Sequence, residues 1–154
     1  MSQQRSLRIG IIGAGMYAAT SHLPALREKA GVEVTCACRT RRAKLEHFCR
    51  TFGVPRGYTD HREMLESERL DGAVVASTHD LHFTHTVDCL ERGLPVLLEK
   101  PMALTLADAD ALRAAVERTG VPVVVGYNRH WWPAYVRARA LLAAGGIGAP
   151  RLAV

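Results

Sequence analysis

The sequence alternates short, continuous apolar runs with longer segments whose apolar residues recur every three or four positions. Runs rich in β-branched residues are typical of strands covered on both faces, and the segments between them are typical of crossover helices. The alternation predicts an α/β fold, a doubly wound parallel sheet flanked by helices. Predicted strands are 7–12, 32–38, 72–77, 96–98 and 121–126; predicted helices are 42–52, 83–92, 106–119 and 134–144.

Local signals define the ends of two helices. Thr105 and Asp108 form a helix-start signature, and Gly120 provides a stop after residue 119. Pro24 is expected to interrupt the first helix, which then resumes over residues 25–29, because proline lacks the backbone N–H that continues a helix.

Charge and hydropathy narrow the classes of partner. The net charge is +5, but the arginines are dispersed along the chain with few aromatic residues between them, so we predict no nucleic-acid binding. Nucleic-acid binding remains an alternative function, and the net charge is the only feature that favours it. No run approaches the roughly 20 apolar residues that cross a bilayer, and residues 1–6 lack the apolar core of a signal peptide. We therefore predict a cytoplasmic protein without a membrane partner.

The spacing of the cysteines is consistent with the predicted cytoplasmic location. Cys36, Cys38, Cys49 and Cys89 contain neither a C-x-x-C pair nor the spacing of a disulfide framework. Cys36 and Cys38 lie two apart on a predicted strand and should face the same side of the sheet. We expect buried thiols.

A glycine motif follows the first predicted strand. Gly13, Gly15 and Ala18 form G-x-G-x-x-A at the start of a helix, where glycine permits a tight turn and close approach of a pyrophosphate. The N–H groups near Met16 and Tyr17 should face the phosphates. A glycine turn that binds nothing is the alternative, but the position after the first strand favours a Rossmann-like dinucleotide site.

The end of the second strand selects the cofactor in such folds, since an acid there binds the ribose of NAD and arginine accommodates the phosphate of NADP. Here this end reads CACRTRR and contains no acid. We predict NADP, with NAD as the second choice, and the alternative is solvated arginines on a surface helix. The predicted contacts are Cys38, Arg39, Thr40 and Arg42, with Arg41 in the same cluster.

Histidines recur after the predicted strand 72–77. Ser77, Thr78 and His79 lie at the end of the predicted strand 72–77, at the carboxyl edge of the sheet, where ligands bind in this architecture. His79, His82 and His85 recur every three residues, a spacing that two metal ligands could use. No further ligand cluster accompanies them, so we predict no metal and interpret them as pocket-lining or capping side chains.

Two charges end the strand 96–98. Glu99 and Lys100 lie at the same sheet edge as the glycine turn, and a lysine held beside a cofactor can orient substrate or move a proton. The alternative is a solvated ion pair at a strand end.

The segments GIIGAGMYA, DGAVVAST, ERGLPVLLEKPMALTLADADAL and VVVGYNRHWWPAY together closely resemble the amino-terminal half of the Gfo/Idh/MocA oxidoreductase family, from residue 7 to about residue 152. The most specific elements are Glu99-Lys100-Pro101 and Gly126-Tyr127-Asn128-Arg129. The resemblance implies a nicotinamide-dependent oxidoreductase of a sugar, cyclitol or similar polyol. It also implies a homo-oligomer.

The resemblance assigns roles by position. The lysine matching Lys100 lies near the nicotinamide and the reacting carbon, and the following proline is often cis. The matches of His82 and of residues 77–79 line the cofactor, and Glu99 and Asn128 join the cofactor site. Thr78 departs from the family, which usually has proline there, so the shape of this loop is less defined.

The resemblance also suggests a domain plan. We expect a disordered tail over residues 1–6, a dinucleotide-binding domain over 7–146 and the start of a second α/β domain over 147–154. That second domain, which in the family supplies most of the substrate pocket, is missing here, so we expect this chain alone to bind cofactor without turnover. The alternative function is a non-catalytic dinucleotide-binding module or sensor.

Overall fold

The computed structural model describes residues 5–149 and 151. Six strands form one sheet in the order β3-β2-β1-β4-β5-β6, and every neighbouring pair is parallel. This order, which reverses between β1 and β4, confirms the doubly wound α/β sheet. The strands are β1 Leu7–Ile12, β2 Val32–Cys38, β3 Arg56–Tyr58, β4 Gly72–Val75, β5 Val96–Leu98 and β6 Val123–Val125.

Helices cover both faces of the sheet. The predicted helices at 42–52 and 106–119 form as expected, and Thr105 Oγ1 accepts a hydrogen bond from the Asp108 N–H at 3.0 Å. Gly120 ends the second of them in a left-handed conformation, with φ of 67°. The helices are α1 Leu23–Arg27, α2 Arg42–Phe52, α3 His61–Ser67, α4 His82–Leu90, α5 Leu106–Thr119 and α6 Pro133–Ala143.

Two elements escaped the sequence prediction, namely β3 and α3. The β3 strand has the sequence RGY and lies at the edge of the sheet, so it lacks the continuous apolar run of a central strand. The α3 helix has only seven residues, too short for a clear helical period. Together they bring residues 59–61 to the carboxyl edge of the sheet, beside β2.

The first helix corrects the prediction at Pro24. Helical backbone runs without a break from Met16 to Arg27, with a π-helix at Ala18–His22. The Leu23 N–H donates to the carbonyl of Ala18, five residues back. Pro24 lies directly after this wide turn, in the first turn of α1, where a missing N–H is tolerated. The helix therefore continues through the proline.

Alternate strand residues divide the core into two layers. Ile12, Cys36 and Cys38 pack on the side of α3, α4 and α5, whereas Ile11 and Ala37 pack on the side of α1 and α2. The two thiols thus share a face as predicted, and burial raises the pKa of each to about 12. Cys89 is also buried, but Cys49 is only half-buried, which corrects the expectation for that thiol.

The carboxyl-terminal part of the described chain is open to solvent. No residue of α6 is buried, and the side chains of Val124, Tyr127 and Trp131 are exposed, the last at 80%. Within residues 5–149 and 151, no helix is long and apolar enough to cross a membrane. Residues 1–4, 150 and 152–154 of the predicted tail and second-domain start lie outside the described residues, although Arg5 donates a hydrogen bond to Asp71.

Candidate functional site

The glycine turn after β1 touches the ends of two neighbouring strands. The N–H groups of Gly13 and Ala14 both donate to the Cys38 carbonyl, at 3.0 and 2.9 Å. Gly13 has a φ of 101°, and a Cβ built on it would lie 2.3 Å from the Ser77 nitrogen. Only glycine allows this close approach. The turn therefore holds the carboxyl ends of β1, β2 and β4 close together.

A groove of about 460 Å³ opens along these strand ends. It contains seven of the predicted cofactor residues, which are Gly13, Gly15, Cys38, Arg39, Thr40, Ser77 and Thr78. Its other lining residues are Ile12, Ala14, Arg41, Lys44, Thr59, Asp60, His61, Ala76, Leu81 and His85. Burial raises the pKa of the Cys38 thiol to about 12, so this side chain is a neutral group at the end of β2.

Positive side chains line one end of the groove. Arg39, Arg41 and Lys44 belong to this end, and Nη1 of Arg39 donates to the Ala14 carbonyl at 2.8 Å. Arg42, predicted to contact the cofactor, is exposed and is not among the lining residues. Arg41 is the residue of extended backbone just before α2, and Lys44 lies in the first turn of that helix. The structure thus brings Arg41 and Lys44 to the groove, and the cofactor contact of Arg42 stays a prediction.

The groove also includes a network that the sequence analysis did not find. Nδ1 of His85 lies 2.9 Å from Oγ of Ser77, and the His85 ring packs against His61 with centroids 4.2 Å apart. Nε2 of His61 in turn lies 2.7 Å from Oδ2 of Asp88. Burial, and secondarily the charge of His61, lowers the pKa of His85 to about 4. His85 is therefore a neutral hydrogen-bonding partner of Ser77 at neutral pH.

His85 should make stability depend on pH. Its pKa is about 4 in the folded chain and about 6.5 when unfolded, so between these values the unfolded state binds more protons. Stability is then expected to fall on acidification from about pH 6.5 to pH 4, by up to about 1.4 kcal/mol per pH unit. Urea unfolding at several pH values between 4 and 6.5 measures this change in the free energy of unfolding. His85→Gln should flatten the slope, and the exposed His47→Gln should not; equal slopes in all three proteins would contradict the assignment.

His82 lies behind the groove instead of lining it. The ring is 1% exposed, with Nδ1 2.7 Å from the Pro101 carbonyl oxygen and Nε2 3.1 Å from that of Ser77. It joins the loops after β4 and β5, and its direct contact with the cofactor stays a prediction. His79 is exposed, with its ring edge on His82 at 5.4 Å. No cluster of three potential metal ligands occurs among the residues that the structure describes.

Glu99 and Lys100 point in different directions at the end of β5. Glu99 is 8% exposed, whereas Lys100 is exposed and its backbone N–H donates to Glu99 Oε2 at 3.2 Å. The Lys100–Pro101 peptide bond is cis, as the resemblance implies. Oε1 of Glu99 lies 3.0 Å from Nε2 of His22. The pair is therefore a buried carboxylate followed by an exposed lysine, which differs from the alternative of a solvated ion pair.

The remaining predicted residues lie between the glycine turn and β6. Met16 and Tyr17 begin the first helix with partly or largely exposed side chains. The Asn128 amide donates to the Tyr17 hydroxyl at 3.3 Å, which joins the loop after β6 to the helix after the glycine turn. Sequence reasoning missed the groove residues Lys44, Thr59, Asp60 and His61, and it missed His22. The only sequence signal for His22 was its position nine residues after Gly13.

Comparisons with known proteins agree with this geometry. The family Gfo/Idh/MocA, described as an oxidoreductase family with an NAD-binding Rossmann fold, matches residues 7–127. The chain is similar to D-apiose dehydrogenase of Paraburkholderia graminis, with 37% identity over 140 residues that cover 91% of this chain and 37% of that protein. It is also similar to scyllo-inositol 2-dehydrogenase (NAD(+)) of Bacillus subtilis, at 26% identity over 96% of this chain and 43% of that protein.

A solved structure shares the fold. An oxidoreductase from Agrobacterium radiobacter, in complex with NAD+, L-tartaric acid and magnesium, superposes with a TM-score of 0.86 and 26% identity. The alignment covers 94% of this chain and 42% of that one. The present chain therefore spans between 37% and 43% of the length of these three relatives.

Proposed function

This chain belongs to the Gfo/Idh/MocA oxidoreductase family, and we propose that it is the NADP-binding part of an enzyme that transfers hydride to or from a sugar, cyclitol or similar polyol. One observation carries the proposal. The glycine turn and Lys100 follow β1 and β5 of the same parallel sheet, so both lie at its carboxyl edge. A dinucleotide along this edge has its phosphates at the turn and its nicotinamide toward the lysine.

The residues of the turn fit a pyrophosphate. Among residues 5–149 and 151, the atom nearest to a Cβ built on Gly15 is the Gly13 oxygen at 3.9 Å, which leaves space beside Gly15. The helix starts at Met16, and the N–H groups of Met16 and Tyr17 have no carbonyl one turn earlier within it. They can donate to phosphate oxygens, and the positive end of the helix dipole favours the charge. The bound cofactor supplies or accepts the hydride.

The preference for NADP rests on the positive end of the groove. Arg41, just before α2, and Lys44, in the first turn of α2, line this end, and Arg39 directly follows β2. The position that would hold an acidic residue for the ribose of NAD is occupied by Cys38, whose thiol is neutral. The 2′-phosphate of NADP can accept charge-assisted hydrogen bonds from these side chains, worth about 1.5–3 kcal/mol each.

Titration of both reduced cofactors tests this preference. We expect NADPH to bind more tightly than NADH, and Arg41→Ala to raise the Kd for NADPH by about 10- to 100-fold, with little effect on NADH. Cofactor fluorescence measures both constants. Arg42→Ala is the matched control, since this neighbour does not line the groove. Equal affinity for the two cofactors, or equal effects of the two substitutions, would contradict the assignment.

Lys100 is the proposed catalytic residue. Its amine is exposed at the strand end, and a lysine there can hold the substrate hydroxyl or exchange a proton with it as hydride is transferred. The similar proteins are named as dehydrogenases of D-apiose and scyllo-inositol, which supports a polyhydroxylated substrate. A homo-oligomer and a cytoplasmic location stay predictions. Turnover on a panel of sugars and cyclitols with NADP+ distinguishes the enzyme from a binding module.

A further inference from the structure

The carboxylate of Glu99 connects two parts of the site that are distant in sequence. Its Oε1 lies 3.0 Å from Nε2 of His22, 77 positions away, and Oε2 accepts the Lys100 N–H at 3.2 Å. The side chains of His22 and Glu99 are only 12% and 10% exposed. A buried carboxylate needs donors of this kind, because an unsatisfied one is costly. The contact therefore holds Glu99 in one orientation.

Neighbouring residues are arranged around this pair. A Cβ on Gly126 would lie 3.0 Å from Glu99 Oε1, so glycine at this position leaves room for the carboxylate. The Tyr17 ring packs edge-on against His22 with centroids 5.3 Å apart, and Asn128 donates to the Tyr17 hydroxyl. The groups on the helix after the glycine turn thus contact the loops after both β5 and β6.

We infer that His22 is a positioning residue for Lys100, acting through Glu99. This inference rests on the proposed function. The helix that begins at the glycine turn would hold the pyrophosphate at its start, and His22 lies on that same helix. Through Glu99 it fixes the backbone of Lys100 relative to the phosphate site. The lysine side chain is thereby held at a fixed distance from the phosphates. A group that acts at the nicotinamide end of the cofactor needs such a fixed position.

The lysine side chains provide a direct measurement on this chain. The lysines of the sequence are Lys29, Lys44 and Lys100, so protein labelled with 13C at the lysine Cε gives signals that Lys→Arg variants assign. NADPH is the probe. In the unsubstituted protein we expect NADPH to shift the signals of Lys44, in the groove, and of Lys100. The signal of Lys29, outside the groove, is the internal reference.

Substitution of His22 should separate these responses. In His22→Met, which keeps the bulk but lacks the donor, we expect the Lys100 shift to be lost, the Lys44 shift to persist and the Kd for NADPH to change by less than about threefold. His22→Gln, which can donate to the carboxylate, should restore the Lys100 shift. His47→Met, on the exposed face of α2, should change nothing.

Gly126→Ala is a second variant, for the case that His22→Met does not fold. It crowds Oε1 of Glu99 without altering His22, and the Lys100 shift should again be lost. Unchanged Lys100 shifts in a folded variant of either kind would overturn the inference. NADPH shifts at Lys44 without any at Lys100 in the unsubstituted protein would also overturn it. Absence of NADPH binding altogether would instead refute the proposed function.

Discussion

Gly13→Ala is expected to destabilise the chain by about 2–6 kcal/mol and to abolish dinucleotide binding. The added Cβ would lie 2.3 Å from the Ser77 nitrogen and 2.4 Å from the carbonyl carbon of Ala76, and the φ of 101° is unfavourable for any side chain. Both neighbours are backbone atoms at the end of β4, so no rotamer change relieves the overlap. The loop after β4 must move away from the glycine turn.

Urea unfolding and NADPH titration measure the two effects. Gly31→Ala is the matched control, because Gly31 also has a positive φ, of 75°, but a Cβ there meets no atom of the described residues within 4 Å. This control reports conformational strain alone, about 1–2 kcal/mol, and should leave NADPH binding intact. Similar losses of stability in the two variants would show that the contact between the turn and β4 does not depend on a missing Cβ.

Periodicity was sufficient to predict most of the fold. The central strands are buried on both faces and have continuous apolar sequences. The alternation of these apolar runs with amphipathic segments therefore predicted the parallel sheet. The β3 strand and the α3 helix were missed because an edge strand of three residues has no such run. Pro24 misled the prediction because the effect of proline depends on local hydrogen bonding, which a π-turn altered here.

The residues of the site were predictable where a sequence motif directly follows a predicted strand. The glycine turn, the loop after β4 and Glu99-Lys100 all follow predicted strands. Lys44 and His61 were not found, since their place depends on which helix face is turned to the groove and on the missed β3. The pairing of His22 with Glu99 spans 77 positions, and no local pattern encodes a contact of this range.

Replacing Lys100 by alanine should produce the largest effect on activity. In a form of the protein that turns over a sugar or cyclitol with NADP+, we expect kcat to fall by about 10²- to 10⁴-fold, the usual contribution of a general acid or base. The Kd for NADPH should change little, because Lys100 is not among the residues that line the groove in which we place the phosphates and ribose. The loss then falls on the transition state and not on the bound ground state.

Steady-state kinetics and NADPH titration on the same preparations distinguish this role from a surface charge. Lys29→Ala is the matched control, because it removes an exposed lysine that does not line the groove. Glu99 has a different role in this scheme: it is buried and hydrogen-bonded to the Lys100 N–H, so it orients the lysine without reaching the substrate. Glu99→Gln keeps one acceptor oxygen, which can still accept from the Lys100 N–H, and should therefore lower kcat far less than Lys100→Ala. A Lys100→Ala enzyme with the kcat of the parent would show that these two charges merely end a strand.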